Sequence, residues 1–147
     1  MELENTIKAT GELTIEVRDE NGNVKEVRQA KNLVVSVGKT FIASRVVGTA
    51  SAIMSYMAIG ISTQTPAAGD TALISEAGRV ALASGTNSSN AITYTATFPA
   101  GTGTGAITEA AVLNASSAGT MLCRTTFPVV NKAAGDSIAI TWVVTIS

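Results

Sequence analysis

Few side chains in this chain have types and spacing suited to chemistry. Histidine is absent, which removes the commonest general base and the commonest metal ligand together. The single cysteine, Cys123, allows neither an intrachain disulfide nor a thiolate zinc site. Within the apolar stretch Met121–Phe127 it reads as a small buried hydrophobe rather than a reactive thiol. Beyond the first 32 residues the carboxylates are Asp70, Glu76, Glu109 and Asp136. Two of them would suffice for a hydrolase and three, with carbonyls, for calcium. Nothing in their spacing brings them together, and Asp70 and Asp136 each follow a glycine, where Asp commonly serves turn geometry. Serines are plentiful, but without histidine there is no ordinary triad. No catalytic residue, metal site or cofactor is assigned, and the expectation is a protein that is not an enzyme.

Two glycine motifs invite a nucleotide-binding reading. Gly38-Lys39-Thr40 needs a glycine five positions before the Gly-Lys pair to curl around phosphate. That position is Leu33, and Lys39 falls inside a predicted helix rather than at its start. Gly101-Thr102-Gly103-Thr104-Gly105 has no accompanying cation and precedes a predicted strand, so it reads as a strand connection. Trp142 would suit carbohydrate stacking, but it lies on the apolar face of a terminal strand, where core packing is the better reading.

The elements that must position these residues are mostly strands. Thr10–Arg18 alternates, with Leu13, Ile15 and Val17 on one side and Glu12, Thr14, Glu16 and Arg18 on the other. Asn21-Gly22 then predicts a type I′ hairpin turn, and Val24–Arg28 the return strand. Asn32 would cap a helix over Leu33–Val47, which Gly48 would end. Tyr56–Ile61, Ile92–Phe98, Ile107–Asn114, Met121–Phe127 and Ile138–Ile146 read as strands. Ala72–Ala83 is ambiguous, and Gly85–Asn90 reads as a turn. Strands at this spacing, divided by Gly/Ser/Asn turns, predict one antiparallel β-sandwich or jelly-roll-like domain over residues 1–147 with an N-terminal hairpin and one short helix. Residues 1–9 would form an extended arm.

The core must rest on aliphatic residues, since hydrophobics make up 46% of the chain and aromatics only 4%. Twelve of the 21 charged residues lie in Met1–Asn32 and nine in the other 115 positions. With a net charge of -1 there is no basic excess to hold phosphates, so no nucleic-acid partner is expected. No apolar run is long enough for a membrane span. The polar, acidic start is unlike a signal peptide, and folding in a cytoplasm is expected. The Thr-, Ser-, Ala- and Gly-rich remainder predicts a neutral surface suited to packing beside other subunits.

Several segments resemble a group of small tailed-bacteriophage structural proteins. They are Asn32-Leu33-Val34-Val35-Ser36-Val37-Gly38-Lys39, Met57-Ala58-Ile59-Gly60, Ala67-Ala68-Gly69-Asp70-Thr71-Ala72-Leu73 with Glu76 and Arg79, Tyr94-Thr95-Ala96-Thr97-Phe98, Gly105-Ala106-Ile107-Thr108-Glu109-Ala110 and Asp136-Ser137-Ile138-Ala139-Ile140-Thr141-Trp142. Their order and spacing carry the resemblance, which covers most of the chain from Asn32 onward. Ile61-Ser62-Thr63 departs from it, standing where a more glycine-rich segment is usual. The resemblance implies a virion protein: a capsid decoration (cement) subunit, or a head-fibre or tail-associated module. It implies a β-rich, commonly trimeric protein whose partners are the major capsid protein and itself, and it carries over no catalytic residue. For a cement subunit, charge placement points to the N-terminal arm and hairpin as the contact region, with Leu3, Ile7, Glu12, Glu16 and Arg18 as candidate interface residues. A tail or fibre module binding host glycans would need exposed aromatics in a groove. A small depolymerase would need Asp70, Glu76, Glu109 or Asp136 clustered in a cleft.

Overall fold

The computed structural model describes residues 6–49 and 52–147. In chain order the elements are β1 (Ala9–Arg18), β2 (Val24–Val34), α1 (Ser36–Val46), β3 (Tyr56–Gly60), β4 (Glu76–Ala81), β5 (Ser84–Ser88), β6 (Ala91–Phe98), β7 (Gly105–Leu113), β8 (Met121–Lys132) and β9 (Ser137–Ile146). The chain is mostly β with one short helix. All strand pairs are antiparallel, in one curled sheet ordered β4-β3-β7-β8-β2-β1-β9-β6-β5.

The curl follows from where strands change partners. β2 pairs with β1 as far as Asn32, then with β8 through Leu33 and Val34. The second change is at the sheet's two ends, because β4 and β5 are consecutive in sequence and separated only by Leu82 and Ala83. The Leu82 N–H donates to Ser55 O, beside β3, and the Ala83 N–H to Thr95 O on β6. The chain thus steps from one sheet edge to the other within two residues.

Alternation places the core inside this curl. Leu13, Ile15 and Val17 of β1 join Ile138, Ile140, Trp142 and Val144 of β9 and Tyr94, Ala96 and Phe98 of β6. From the other half come Met57, Ile59, Ile107, Val112, Cys123 and Val130, all in the same buried cluster. Trp142 is fully buried, and its indole N–H donates to Asn32 Oδ1 at 2.7 Å. Cys123 is buried, and burial pushes its thiol pKa far up. Both residues therefore pack in the core.

β7 is buried on both faces from Ile107 to Leu113. Its second face joins a smaller cluster with Val35, Ala58, Leu73, Ala111, Leu113 and Met121. Leu73 reaches that cluster from the segment joining β3 to β4, residues 61–75.

Three local expectations are corrected. The helix runs over Ser36–Val46 rather than Leu33–Val47, and Val35, with no side-chain cap, precedes it. Leu33 and Val34 are strand residues, and Asn32 serves the Trp142 indole instead of the helix terminus. The hairpin turn has positive φ at Gly22 alone, with Asn21 in the ordinary region. It is a turn beginning at Asp19, whose Oδ1 accepts the N–H groups of Asn21 and Asn23, with Gly22 in the left-handed position of a three-residue loop. Finally, Ser84–Ser88 is a strand paired to β6, so the predicted turn shrinks to Ser89-Asn90. Ala72–Ala83, left open by its pattern, yields β4.

Gly38 explains the Gly-Lys-Thr motif. It is buried where α1 crosses β8, and a Cβ there would collide with the Leu122 carbonyl. The glycine allows close helix–strand approach while Lys39 stays exposed. Gly38→Ala must push α1 off β8, so a loss of about 1–3 kcal/mol is expected in denaturant unfolding; an unchanged midpoint would show that the helix is not seated there.

Candidate interaction surface

The carboxylates come together only in part, and through cations. Arg124 has its side chain fully buried on β8. Its Nε and Nη2 donate to Glu109 Oε2 at 3.1 and 2.9 Å. Its Nη1 donates to Asp70 Oδ2 at 3.0 Å and its Nη2 also to Gln64 O at 2.8 Å. Glu109 further accepts the backbone N–H groups of Ile74 (3.2 Å) and Ser75 (2.8 Å). This network stitches the 61–75 segment onto the second face of β7 and β8. Asp70 accepts the Ala67 N–H as well, so its turn role and its ion pair coexist. Glu76 pairs instead with Arg79, which donates also to Ala115 O and Ala118 O.

Asp136 is a separate site. Its carboxylate accepts Lys25 Nζ at 2.6 Å and the Ala133 N–H at 2.8 Å, while buried Lys132 donates to its carbonyl and to Pro99 O. The Lys25 contact, then the Ala133 N–H, hold the Asp136 carboxyl below its ordinary value. The same contact raises Lys25, and burial lowers Lys132. Among the described residues, no group of three or more Cys, Asp or Glu is placed to hold a metal ion. No helix among them is long and apolar enough to cross a membrane. Of the polar-tipped aromatics, Tyr94 and Trp142 are buried and Tyr56 is half-buried.

The candidate interface residues lie on two adjoining surfaces. Leu3 is outside the described residues. Glu12, Glu16 and Arg18 sit on the outward face of β1, with Glu16 and Arg18 ion-paired to each other. Strand register extends that face into rows across five strands. One row is Gln29, Thr14, Thr141, Thr95 and Ser84; the next is Lys31, Glu12, Val143, Thr93 and Thr86. The first row carries no charge, and the second only the neighbouring Lys31 and Glu12. The outward face of β7 and β8 is covered by residues 61–75; this one carries no covering segment among the described residues.

Ile7 belongs to the second surface. It is 82% exposed and lines a groove of about 640 Å³ with Lys8, Lys39, Ile42, Val46 and Ile146. Thr10 borders both surfaces. The structure therefore separates Ile7 from the outward β1 face on which Glu12, Glu16 and Arg18 lie.

Two changes probe these ion pairs. Arg124→Ala leaves Glu109 buried without its cation, and a loss of about 3–5 kcal/mol is expected, with new proteolytic cleavage within residues 61–75. Replacing the pair together (Arg124→Met with Glu109→Leu) should recover only part of that loss in denaturant titrations, because the Ile74 and Ser75 N–H groups, Asp70 and Gln64 O lose their partners as well. For Asp136, the depressed folded value means its contribution is complete above its ordinary 3.8. It disappears as pH falls through the lower folded value. Asp136→Asn is therefore expected to flatten the acid limb of a Tm-against-pH curve below pH 3.8; an unchanged limb refutes the assignment.

No protein-family model, curated protein or solved structure matches the chain.

Proposed function

We propose that the protein is a virion structural subunit, a capsid decoration or cement protein that stabilises the shell of a tailed phage through protein–protein contacts. The observation that carries this reading is the uncovered, charge-poor threonine face of β2, β1, β9, β6 and β5. Short β-branched hydroxyl side chains lose little rotamer entropy on burial. They also avoid the desolvation cost of charges, which are depleted at the centres of interfaces. The adjoining Ile7–Val46 groove adds exposed apolar area of the kind that marks contact sites. The resemblance of the chain to small phage structural proteins supplies the partner, the major capsid protein, and the expectation of a homotrimer.

On the same reading the curled sheet is a jelly-roll-like β-sandwich. Inward residues of both halves share one cluster, and the chain changes layer at Asn32–Leu33 and Leu82–Ala83, as strands do at the corners of packed sheets. A tail or fibre module remains the alternative role, but the burial of Tyr94 and Trp142 gives glycan stacking no support.

The test is electron microscopy of the virion with the subunit labelled, together with binding of purified protein to undecorated heads. Threefold clusters over the shell are expected; label confined to a tail ring or spike would overturn the proposal. Thr141→Lys places a charge in the middle of the uncovered face. It should weaken head binding at least about tenfold, or roughly 1.4 kcal/mol, while leaving Tm within a few degrees.

A further inference from the structure

Gly38 seats α1 on β8 at the Leu122 carbonyl, and elsewhere the helix faces β6 and β9 across a slot. The slot has a volume of about 340 Å³, with apolar walls from Phe41 and Ile42 of α1, Ile92 of β6, Leu122 of β8 and Val144 of β9. Leu122 and Val144 belong to the main core cluster, so the slot reaches down to buried side chains. Two polar side chains line it, Arg45 and Tyr94. Both also line an adjoining cavity of about 240 Å³, which is bordered by Thr86 and Asn87 of β5. The two cavities together run from apolar to polar, and among the described residues no carboxylate lines either. Arg45 has no ion-pair partner among the described residues, and its guanidinium stays charged at any ordinary pH. Tyr94 is 8% exposed, yet its hydroxyl has no hydrogen-bond partner among the described residues. A polar tip set in a mostly apolar wall calls for one. Burial pushes this phenol up to about 12, so it stays a neutral hydrogen-bond donor.

We infer that the slot between α1 and strands β6 and β9 binds a single-chain amphiphile with a carboxylate head, its alkyl chain among Ile42, Leu122 and Val144 and its head between Arg45 and the Tyr94 hydroxyl. An apolar cavity of a few hundred Å³ with a small number of converging polar groups is the usual form of a small-ligand site. The head is an anion because the one charge on the walls is a cation and both polar side chains of the slot are donors. A guanidinium fork matches the two oxygens of a carboxylate. A slot of this size takes one short chain, which favours the free amphiphile over a two-chain bilayer lipid. The Ile7 groove is a different surface of α1: it shares Ile42 and Val46 with the slot but is lined by neither Arg45 nor Tyr94. The inference concerns the isolated protein and does not rest on the cement reading.

Titration calorimetry of the full chain with hexanoate, octanoate and decanoate is the test. Each step of two methylenes should tighten Kd about tenfold. Octyltrimethylammonium, with the same chain as octanoate and the opposite charge, should bind at least about tenfold more weakly. Arg45→Gln should weaken octanoate at least about tenfold and leave the cationic amphiphile no weaker than before. Tyr94→Phe keeps the ring that lies against Gly85 and removes only the hydroxyl, so a loss of about fivefold or more is expected. Arg45 is exposed and phenylalanine fills the place of the tyrosine ring, so both variants should hold wild-type circular dichroism and Tm. Nuclear Overhauser contacts from the decanoate chain should reach the methyl groups of Leu122 and Val144, which are buried. No saturable octanoate binding, equal binding of the two amphiphile charges, an unchanged octanoate Kd in either variant, or contacts confined to Ile7 and Lys39 would each overturn the inference. So would protein that co-sediments with phosphatidylglycerol vesicles and takes up no octanoate. None of those outcomes bears on whether the protein binds heads, which the labelled virion decides separately.

Discussion

The guanidinium of Arg124 is the contact on which the outer half of the sheet depends. It is buried completely, and a buried cation is tolerated only with nearby opposite charge and saturated hydrogen bonding. Glu109 and Asp70 supply the charge and Gln64 a carbonyl. Because Glu109 also accepts the Ile74 and Ser75 N–H groups, the network fixes both ends of the 61–75 segment. That segment then seats Leu73 in the smaller cluster and delivers the chain to β4 in register with β3. A buried ion pair adds little net stability compared with a well-packed apolar pair; here its directional bonds hold a long, polar connection in one place.

Positioning β4 has a further consequence, since only Leu82 and Ala83 separate it from β5. The backbone switches partner between those two residues, from Ser55 to Thr95, which ties one sheet edge covalently to the other. The two edges are left differently protected. β4 carries Glu76 and Arg79 and an irregular register beside Gly60, devices that discourage pairing with other chains. β5, Ser-Gly-Thr-Asn-Ser, relies on its shortness alone.

The legibility of each element tracks how many of its faces are buried. β1, β6 and β9 bury one face and leave the other open, so their period of two is plain in the sequence and their inward residues were identifiable from it. β5 buries neither face and therefore has no hydrophobic period, which is why its residues read as a turn. Leu33 and Val34 read as the start of a helix because their partners on β8, Arg124 and Cys123, are far away in sequence; tertiary pairing overrode the local pattern. The Arg124 network had no local signal either, with Asp70 54 residues away and Glu109 15. One clue was present. Glu109 and Arg124 are single, opposite charges inside otherwise apolar runs on neighbouring strands, and a lone buried charge requires a partner. The Ile7 groove was barely legible: Ile7 was singled out only through the charge placement of the N-terminal arm and hairpin, and the approach of α1 that makes the groove does not appear in any spacing.

Charge placement joins these observations. A chain with only 21 charged residues has few to dispose over its surface. Several are inside, at Arg124, Glu109 and Lys132, where they hold connections rather than solvate the exterior. Others pair locally at Glu16–Arg18, Glu26–Arg28 and Glu76–Arg79. Among the described residues, those left at the surface without a salt bridge are Lys8, Lys39 and Arg45, Asp19 and Glu20 at the hairpin tip, and Glu12 and Lys31 opposite each other on the threonine face. A protein whose only task was to stay dispersed would spread charge of both signs over its surface, since interspersed charge suppresses association. This arrangement instead leaves a broad face on which charge is confined to Glu12, Glu16, Arg18 and Lys31, and on the proposed reading it is this face, held in register by the curled sheet, that meets other protein.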